Sequence, residues 1–224
     1  MKLFKNRKQT LLLLSVMLLL CLAVGLTYSG LGGITSTKNN VFTPLKEIRA
    51  RLDEPNWDKN EGLKLVPGKT LRKDPMISNT CTIDEYVAMR LTFRRDDGSV
   101  ISDADLTELL GLLEIDWHAD WVLCAGSLSA DAAEQPLIFY FNKVLEPGQT
   151  TSPLFSTVQI KDQADGLTEA ELRWLQGIKF ANGEIEPDPN GIGKFNIKIE
   201  GAAVQREGFA TAADAVNTLK ALFP

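Results

Sequence analysis

The sequence contains one histidine in 224 residues, and histidine is the side chain best suited to metal binding and acid–base chemistry near neutral pH. This residue, His118, lies between Asp116 and Asp120 in a short Asp-Trp-His-Ala-Asp run. A zinc peptidase of the usual kind needs two histidines one helical turn apart with a glutamate between them, which a single histidine cannot supply. The residues therefore argue against proteolysis. They favour a solvated histidine at a strand edge, and a site of carboxylates with His118 is the alternative.

Three cysteines occur, and Cys21 lies inside an apolar N-terminal run, which leaves Cys81 and Cys124 in the rest of the chain. A cysteine nucleophile would need His118 as its base, in a geometry that spacing alone does not define. In an exported protein the two thiols could form a Cys81–Cys124 disulfide. The other interpretation is two separate, half-buried thiols, because a bridge requires Cα atoms within about 7 Å of each other.

Acidic side chains are grouped in turns and at a predicted helix start rather than in a metal-binding pattern. Asp96 and Asp97 occupy a turn, while Asp103 and Asp105 follow a candidate N-cap, where carboxylates favour the helix dipole. Oxygen-bearing side chains alternate over residues 184–190, which is an alternative calcium site without the EF-hand spacing. We therefore predict no catalytic residues, no metal and no cofactor.

The charge balance is acidic, with 29 acidic and 24 basic residues and a formal net charge of −5. No basic patch interleaved with aromatic residues is present, so nucleic acid is not predicted as a partner. Four of the basic residues lie in the first eight positions, so the rest of the chain is more acidic still. Such a surface suits solubility outside the cell.

The N-terminus has the pattern of an export signal. Residues 1–9 are basic, and residues 11–26 form a nearly unbroken apolar run, shorter than the roughly 20 residues that span a membrane comfortably. We predict a signal peptide over residues 1–30, with an uncleaved membrane anchor as the alternative, and in both cases the remainder faces outside. Residues 31–40 predict a flexible segment, and residues 41–224 one domain that ends in a helix.

Short strands with alternating side chains dominate the pattern after the leader. Two Pro-Gly-x-Thr turns, at 67–70 and 147–150, each precede a strand and suggest paired hairpin-like units. Val87, Met89, Leu91 and Phe93 alternate with other residues, which predicts a strand with one buried face. Further strands are predicted at 41–52, 76–79, 117–124, 137–145, 155–160 and 195–199.

Helices are predicted at three places between or after these strands. Ser102 is a candidate N-cap for a leucine-rich helix, and Thr168 with Glu171 forms a capping box for a second. A third helix is predicted over 211–222, with Val216, Leu219 and Leu222 on one side. Residues 182–193 are rich in Pro and Gly and predict a surface loop. The absence of a Gly-rich phosphate loop and of βαβ alternation excludes Rossmann and P-loop folds.

Several short segments, found in one order along most of the chain, carry a family resemblance. The leading ones are residues 54–58 (EPNWD), 65–70 (LVPGKT), 73–75 (KDP), and 79–80 (NT) before 86–87 (YV). Further matches are residues 40–43 (NVFT), 140–145 (YFNKVL) before 147–148 (PG), and 203–205 (AVQ) before 208–209 (GF). This pattern resembles the TasA/camelysin (CalY) family, secreted matrix proteins of Gram-positive bacteria that depend on a SipW-type signal peptidase.

The resemblance implies a fold, a location and a mode of action. The expected fold is mainly β, a jelly-roll-like two-sheet antiparallel sandwich with two or three inserted or terminal helices. The expected function is non-enzymatic: export to the extracellular space or surface of a Gram-positive cell, and self-association into matrix fibres or a surface coat. The membrane is then involved only through the N-terminal leader.

The resemblance also nominates an assembly segment. Val41, Phe42 and Thr43 are the candidate donor strand, which would complete an open sheet edge of a neighbouring subunit. Their alternative role is the first strand of their own domain. Two other functions stay open as alternatives: a camelysin-like surface metallo-endopeptidase, and a ligand-binding jelly-roll module.

Overall fold

A computed structural model of the protein describes residues 48–58, 66–181 and 183–223. The expected signal peptide (1–30), the segment 31–40 and the candidate donor residues Val41, Phe42 and Thr43 lie outside the described residues. The strands are β1 (Ala50–Asp53), β2 (Thr70–Arg72), β3 (Met76–Asn79), β4 (Glu85–Arg95), β5 (Leu113–Trp117), β6 (Trp121–Leu128), β7 (Ala133–Phe141), β8 (Phe155–Ile160), β9 (Ile178–Ala181), β10 (Glu184–Pro187) and β11 (Phe195–Gln205). The helices are α1 (Asp103–Leu112), α2 (Glu169–Gln176) and α3 (Ala212–Ala221).

The first sheet has four antiparallel strands in the order β11-β4-β7-β6. β4 and β11 pair over their full length, from Glu85 opposite Gln205 to Arg95 opposite Phe195. This ladder aligns the alternating apolar residues of both strands on one face, because side chains directly opposite each other share a face. β11 and β6 form the two edges of the sheet.

The second sheet of the sandwich has two parts, the strand pair β1-β3 and the three strands β2-β8-β5, which are joined along one extended segment, residues 149–160. The first half of this segment lies beside β3, where the Asn79 amide donates to the Gln149 carbonyl and the Thr151 amide donates to the Ile77 carbonyl, each at 2.9 Å. Its second half is β8, which pairs with β2 on one side and β5 on the other. β1 pairs with the outer edge of β3. The strands thus run from β1 at one edge of this layer to β5 at the other.

The two layers face each other across one hydrophobic core. Phe93 and Leu91 of β4 and Phe155 of β8 are fully buried in it. Trp117 stacks on Phe139 of the first sheet, with ring centroids 4.9 Å apart, and meets Phe155 edge to face at 5.3 Å. The predicted mainly β, jelly-roll-like two-sheet sandwich with inserted and terminal helices is confirmed.

Helix α3 covers the outer face of the first sheet and creates a second, smaller core. Tyr86 and Ala88 of β4 are buried on this outer face, so the prediction of one buried face for β4 was wrong. The helix buries Ala212, Ala215 and Leu219, whereas Leu222 is 52% exposed. The predicted face of Val216, Leu219 and Leu222 is therefore only partly correct. The small alanine side chains allow the helix axis to lie close to the sheet. The prediction considered only the larger apolar residues and therefore overlooked them.

The helix starts follow the local signals in the sequence. The Ser102 side chain accepts from the Asp105 amide at the start of α1. Thr168 and Glu171 form the predicted capping box at the start of α2, in which each side chain accepts from the backbone amide of the other. Both N-cap predictions are confirmed, because capping depends on residues within one helical turn.

Two predicted elements were wrong. Residues 117–124 are not one strand, because a turn at His118–Asp120 separates β5 from β6 and moves the chain from the second sheet to the first. Residues 182–193 are not wholly a loop, because β9 and β10 form a hairpin in which Phe180 is opposite Ile185.

The two predicted Pro-Gly turns are confirmed, because Gly68 and Gly148 have the positive φ values, +75° and +77°, that such turns require.

Candidate assembly surface

In the described part of the chain, the sandwich is open along one side, between β1 and β11. A groove of about 220 Å³ lies there. Its side chains are all apolar, while backbone atoms add polar surface, and the lining residues are Ile48, Ala50, Leu52, Ile77, Gly201, Ala202 and Ala203. Ile48 is 43% exposed, although it is a large apolar residue. We call this feature the β1/β11 groove.

Gly201 sets the depth of the β1/β11 groove. A Cβ atom at this position would lie 3.3 Å from Ile77 Cδ1 and 3.8 Å from the Leu52 Cβ. The missing side chain therefore lets β1 and β3 approach β11 closely and leaves space at the groove's opening. Ala202 and Ala203 follow on the same strand, so small residues extend along the groove.

The backbone of β11 is available on the groove side. Among the described residues, β4 is the only strand that pairs with β11, so the other edge of β11 has no strand partner. An unpaired edge presents backbone donors and acceptors that an incoming strand can satisfy. Within the described residues, the β1/β11 groove thus combines apolar side chains with a strand edge that has no strand partner, the two requirements for strand addition.

The candidate donor segment precedes this groove in the chain. Val41, Phe42 and Thr43 lie outside the described residues, and Ile48, the first described residue, already lines the groove. Both roles predicted for the segment, donation to a neighbour and a strand of its own domain, stay predictions.

Residues of the EPNWD and KDP segments form a polar clamp behind β1. Lys73, which is 7% exposed, places its Nζ 2.6 Å from Glu54 Oε1 and 4.5 Å from the centroid of the Trp57 ring. The Asn56 backbone amide and side chain both donate to Asp74, at 3.0 and 2.6 Å. The clamp ties the chain after β1 to the connection between β2 and β3, and so positions one wall of the groove.

Cys81 belongs to a second buried polar cluster at the start of β4. Its thiol lies 2.9 Å from Asn79 Oδ1, 3.3 Å from the Ile83 carbonyl and 3.1 Å from Glu85 Oε1. Glu85 has no exposed surface, and its Oε2 makes no hydrogen bond.

The possible Cys81–Cys124 disulfide is not formed, and both cysteines are separate, partly buried free thiols, as in the other interpretation. Cys124 lies on β6 with its thiol 3.3 Å from the Ile138 carbonyl of β7, and Ile138 is opposite Arg90 of β4. Cys81 precedes β4, so the two cysteines are two strands apart, roughly 9–10 Å even at the same level of the sheet. That separation exceeds the reach of a disulfide. Burial raises the pKa of the Cys124 thiol.

His118 lies in the turn between β5 and β6, not on a strand edge. Its Nδ1 accepts from the Asp120 amide at 3.2 Å. Asp120 itself pairs with Lys143 at 2.7 Å and accepts from Ser152 at 3.2 Å, and the Lys143 contact is the main reason why the pKa of Asp120 is lowered. These contacts hold the turn and leave the histidine 43% exposed.

Within residues 48–58, 66–181 and 183–223, no group of three histidine, cysteine or acidic side chains has a geometry that could hold a metal ion. The alternative calcium segment, residues 184–190, begins in β10, where Glu184 and Glu186 belong to a hairpin strand.

The same hairpin exposes Phe180 and Ile185, and this hairpin was not predicted from the sequence. An Asn-Gly pair between two β-rich runs is a strong hairpin signal and could have identified it.

Comparisons with protein-family models, with curated proteins and with solved structures found no match to this chain. In the described ranges, no helix has both the length and the apolar character needed to cross a membrane. The proposals below therefore rest on the sequence pattern and on the geometry of the described residues.

Proposed function

We propose that this protein is a non-enzymatic structural protein of the cell exterior that polymerises by strand addition at the β1/β11 groove. The observation that carries the proposal is the combination of a groove of apolar side chains with an edge of β11 that no described strand covers. A groove of this kind is incomplete in a single copy, because it exposes Ile48 and leaves backbone groups for solvent to satisfy.

The donor in this proposal is the segment of Val41, Phe42 and Thr43 in a neighbouring copy. In an added strand, Val41 and Thr43 share one face and Phe42 takes the other. Burial of a valine or phenylalanine side chain contributes about 1.5–3 kcal/mol, and the new backbone hydrogen bonds add to this. Donor and acceptor are different surfaces of the chain, so the contact is heterologous and repeats without closing.

Export precedes assembly in this proposal. The basic leader and its apolar run support a signal peptide that a SipW-type peptidase removes, as the TasA/camelysin resemblance implies. Polymerisation then takes place outside a Gram-positive cell, as matrix fibres or a surface coat. Removal of the leader frees the segment that donates, so processing and assembly are coupled through the same stretch of chain.

The test uses one donor variant, one acceptor variant and a matched control. Val41→Asp with Phe42→Asp disables the donor, and Ile48→Asp introduces a charge at an exposed position of the acceptor groove. Val122→Asp is the control, because Val122 is 37% exposed on β6, at the opposite edge of the first sheet. Negative-stain microscopy and sedimentation of the exported protein report assembly, and circular dichroism reports folding.

Wild type and Val122→Asp should form fibres, whereas the donor and acceptor variants should stay folded and monomeric. An equimolar mixture of the donor variant and Ile48→Asp should stop at dimers, because one intact donor and one intact groove remain per pair. Fibres formed by either variant alone would show that the β1/β11 groove is not the assembly site.

A further inference from the structure

A bend between β3 and β4 brings one sulfur and three oxygen atoms together. Cys81 Sγ lies 2.9 Å from Asn79 Oδ1, 3.3 Å from the Ile83 carbonyl oxygen and 3.1 Å from Glu85 Oε1. A thiol has one hydrogen and is a weak donor. Hydrogen bonding from the thiol therefore does not account for all three contacts. We call these four residues the Cys81 site.

Glu85 indicates independently that a cation belongs at the Cys81 site. This residue has 0% exposed surface, and among the described residues its Oε2 has no hydrogen-bond partner. Its Oε1 faces the thiol at 3.1 Å and also accepts from the Arg49 amide at 3.3 Å. A carboxylate removed from water is costly unless a cation or a full set of donors balances its charge. The unpartnered oxygen leaves this balance incomplete, and a bound cation would complete it.

Further hydrogen bonds hold the oxygen atoms of the site in place. Asn79 Nδ2 donates to the Ile83 and Leu145 carbonyls at 2.7 and 2.9 Å, which turns Oδ1 toward the thiol. The backbone of Glu85 exchanges two hydrogen bonds with Leu145, at 3.0 and 2.9 Å. Contacts of this kind fix the direction of ligand atoms before an ion binds and so favour binding.

The donor set suits a divalent ion that accepts both sulfur and oxygen. Zn²⁺ binds thiolate sulfur and carboxylate oxygen, usually with four ligands, whereas Ca²⁺ and Mg²⁺ take oxygen ligands. One thiolate and one carboxylate carry two negative charges, which one Zn²⁺ neutralises. A tetrahedral ion about 2.3 Å from sulfur and about 2.1 Å from oxygen sets these atoms about 3.6 Å apart. Shifts of less than about 1 Å would therefore form the site.

We propose that the Cys81 site binds one Zn²⁺ ion, with the thiolate and carboxylate as charged ligands and the amide and carbonyl oxygens as neutral ones. Binding releases the thiol proton to solvent. Cys81 is half-buried and flanked by exposed threonines, so an ion can enter from solvent. Only two of the four ligands are cysteine or acidic side chains, so the spacing of such residues did not reveal the site, and no metal was predicted. None of the four residues lines the β1/β11 groove.

The first test is metal titration of the full-length, metal-free protein under reducing conditions. Co²⁺ substitutes for Zn²⁺ in such sites and absorbs strongly in the near ultraviolet when it binds a thiolate. Wild type should show this absorption at one Co²⁺ per chain, and added Zn²⁺ should abolish it. Cys124→Ser is the matched control and should behave as wild type does. Cys21 is retained in every variant, so it cannot account for a difference between them.

Two variants test the ligands, and circular dichroism reports the folding of each. Cys81→Ser should lose the thiolate absorption, and its Kd for Zn²⁺ should rise at least about a hundredfold. Glu85→Gln keeps the size of the side chain and removes its charge, and its Kd should rise at least about tenfold. If Glu85 were not a ligand, this neutral side chain would leave the affinity for Zn²⁺ unchanged.

A reactivity measurement on wild type decides the proposal even where a variant does not fold. At a Zn²⁺ concentration about ten times the Kd, alkylation of Cys81 should slow about tenfold, because only the metal-free fraction reacts. Alkylation of Cys124 should keep its rate. Peptide mass spectrometry follows the two cysteines separately.

Several outcomes would overturn the zinc site. They are the absence of the thiolate absorption from wild type, its persistence in Cys81→Ser, unchanged Zn²⁺ affinity in Glu85→Gln, and equal alkylation rates of Cys81 with and without Zn²⁺. None of these measurements depends on fibre formation. Failure of the zinc site and failure of the proposed function are therefore distinguishable.

Discussion

Asn79 is the residue at which one substitution should reveal how much buried polar contacts stabilise this fold. Its side chain is almost fully buried, and its amide nitrogen donates to the carbonyls of Ile83 at 2.7 Å and Leu145 at 2.9 Å. Its Oδ1 accepts from the Cys81 amide at 2.9 Å. The side chain therefore joins the start of β4 to the second Pro-Gly turn.

Replacement by alanine should lower the free energy of unfolding by about 3 kcal/mol. Three hydrogen bonds with backbone groups are lost, each with a net contribution of about 1 kcal/mol, together with the weaker one from the Cys81 thiol, and the buried partners are left unsatisfied. Asn79→Asp keeps the shape of the side chain but places an acceptor against the Ile83 and Leu145 carbonyls. It should destabilise at least as much as alanine, because two attractive contacts become repulsive ones.

The assay is urea unfolding at neutral pH, followed by tryptophan fluorescence and far-ultraviolet circular dichroism. Thr80→Ala is the matched control. This neighbouring side chain donates to the Arg49 carbonyl from an exposed position, so its removal should lower the free energy of unfolding by less than about 0.5 kcal/mol. If Asn79→Asp unfolds within about 0.5 kcal/mol of wild type, the side chain is not oriented as described and the reasoning is refuted.

Two further predictions concern the first sheet. Glu200 is opposite Arg90 and accepts from its guanidinium at 2.6 and 2.9 Å, and hydrogen bonds from Lys198 and then Arg90 lower the pKa of this carboxyl. Glu200→Gln should therefore lower the free energy of unfolding by about 1 kcal/mol at pH values above 4.5, the ordinary pKa of the carboxyl. The difference from wild type should shrink as the pH falls below that value. Urea unfolding at a series of pH values measures both effects. Gly126→Ala should lower the melting temperature far more than Gly148→Ala. Both glycines have φ near +79°, but a Cβ at Gly126 would lie 2.6 Å from the Glu134 and Pro136 carbonyls, whereas Gly148 has open space. Equal melting temperatures for the two variants would contradict this.

Some elements of this fold are readable from the sequence because their signals are local. The capping box of Thr168 and Glu171 lies within one helical turn, and it forms as predicted. Strands β3 and β8 match their predicted bounds, since period-two alternation and flanking turn residues need no knowledge of the partner strand. The single histidine likewise speaks against a two-histidine zinc site without any structure.

Other features depend on contacts between distant residues. The turn at His118–Asp120 divides a continuous β-rich run because the chain must pass from the second sheet to the first there, which the run's composition does not reveal. The second buried face of β4 exists only because α3, more than a hundred residues later, packs on Tyr86 and Ala88. Burial on that face was therefore invisible to the alternation pattern.

The proposed assembly surface likewise depends partly on features that the sequence predicts and partly on the strand order of the folded protein. The sequence by itself predicted the mainly β class, which the structure confirms, and an export leader, which stays a prediction, because composition and residue patterns can be read without knowledge of any partner strand. Only the tertiary structure decided which strand edges stay open. Edges are set by strand order, and the edge of β11 that no described strand covers results from a pairing with β4 between residues up to 120 positions apart, which no local pattern encodes.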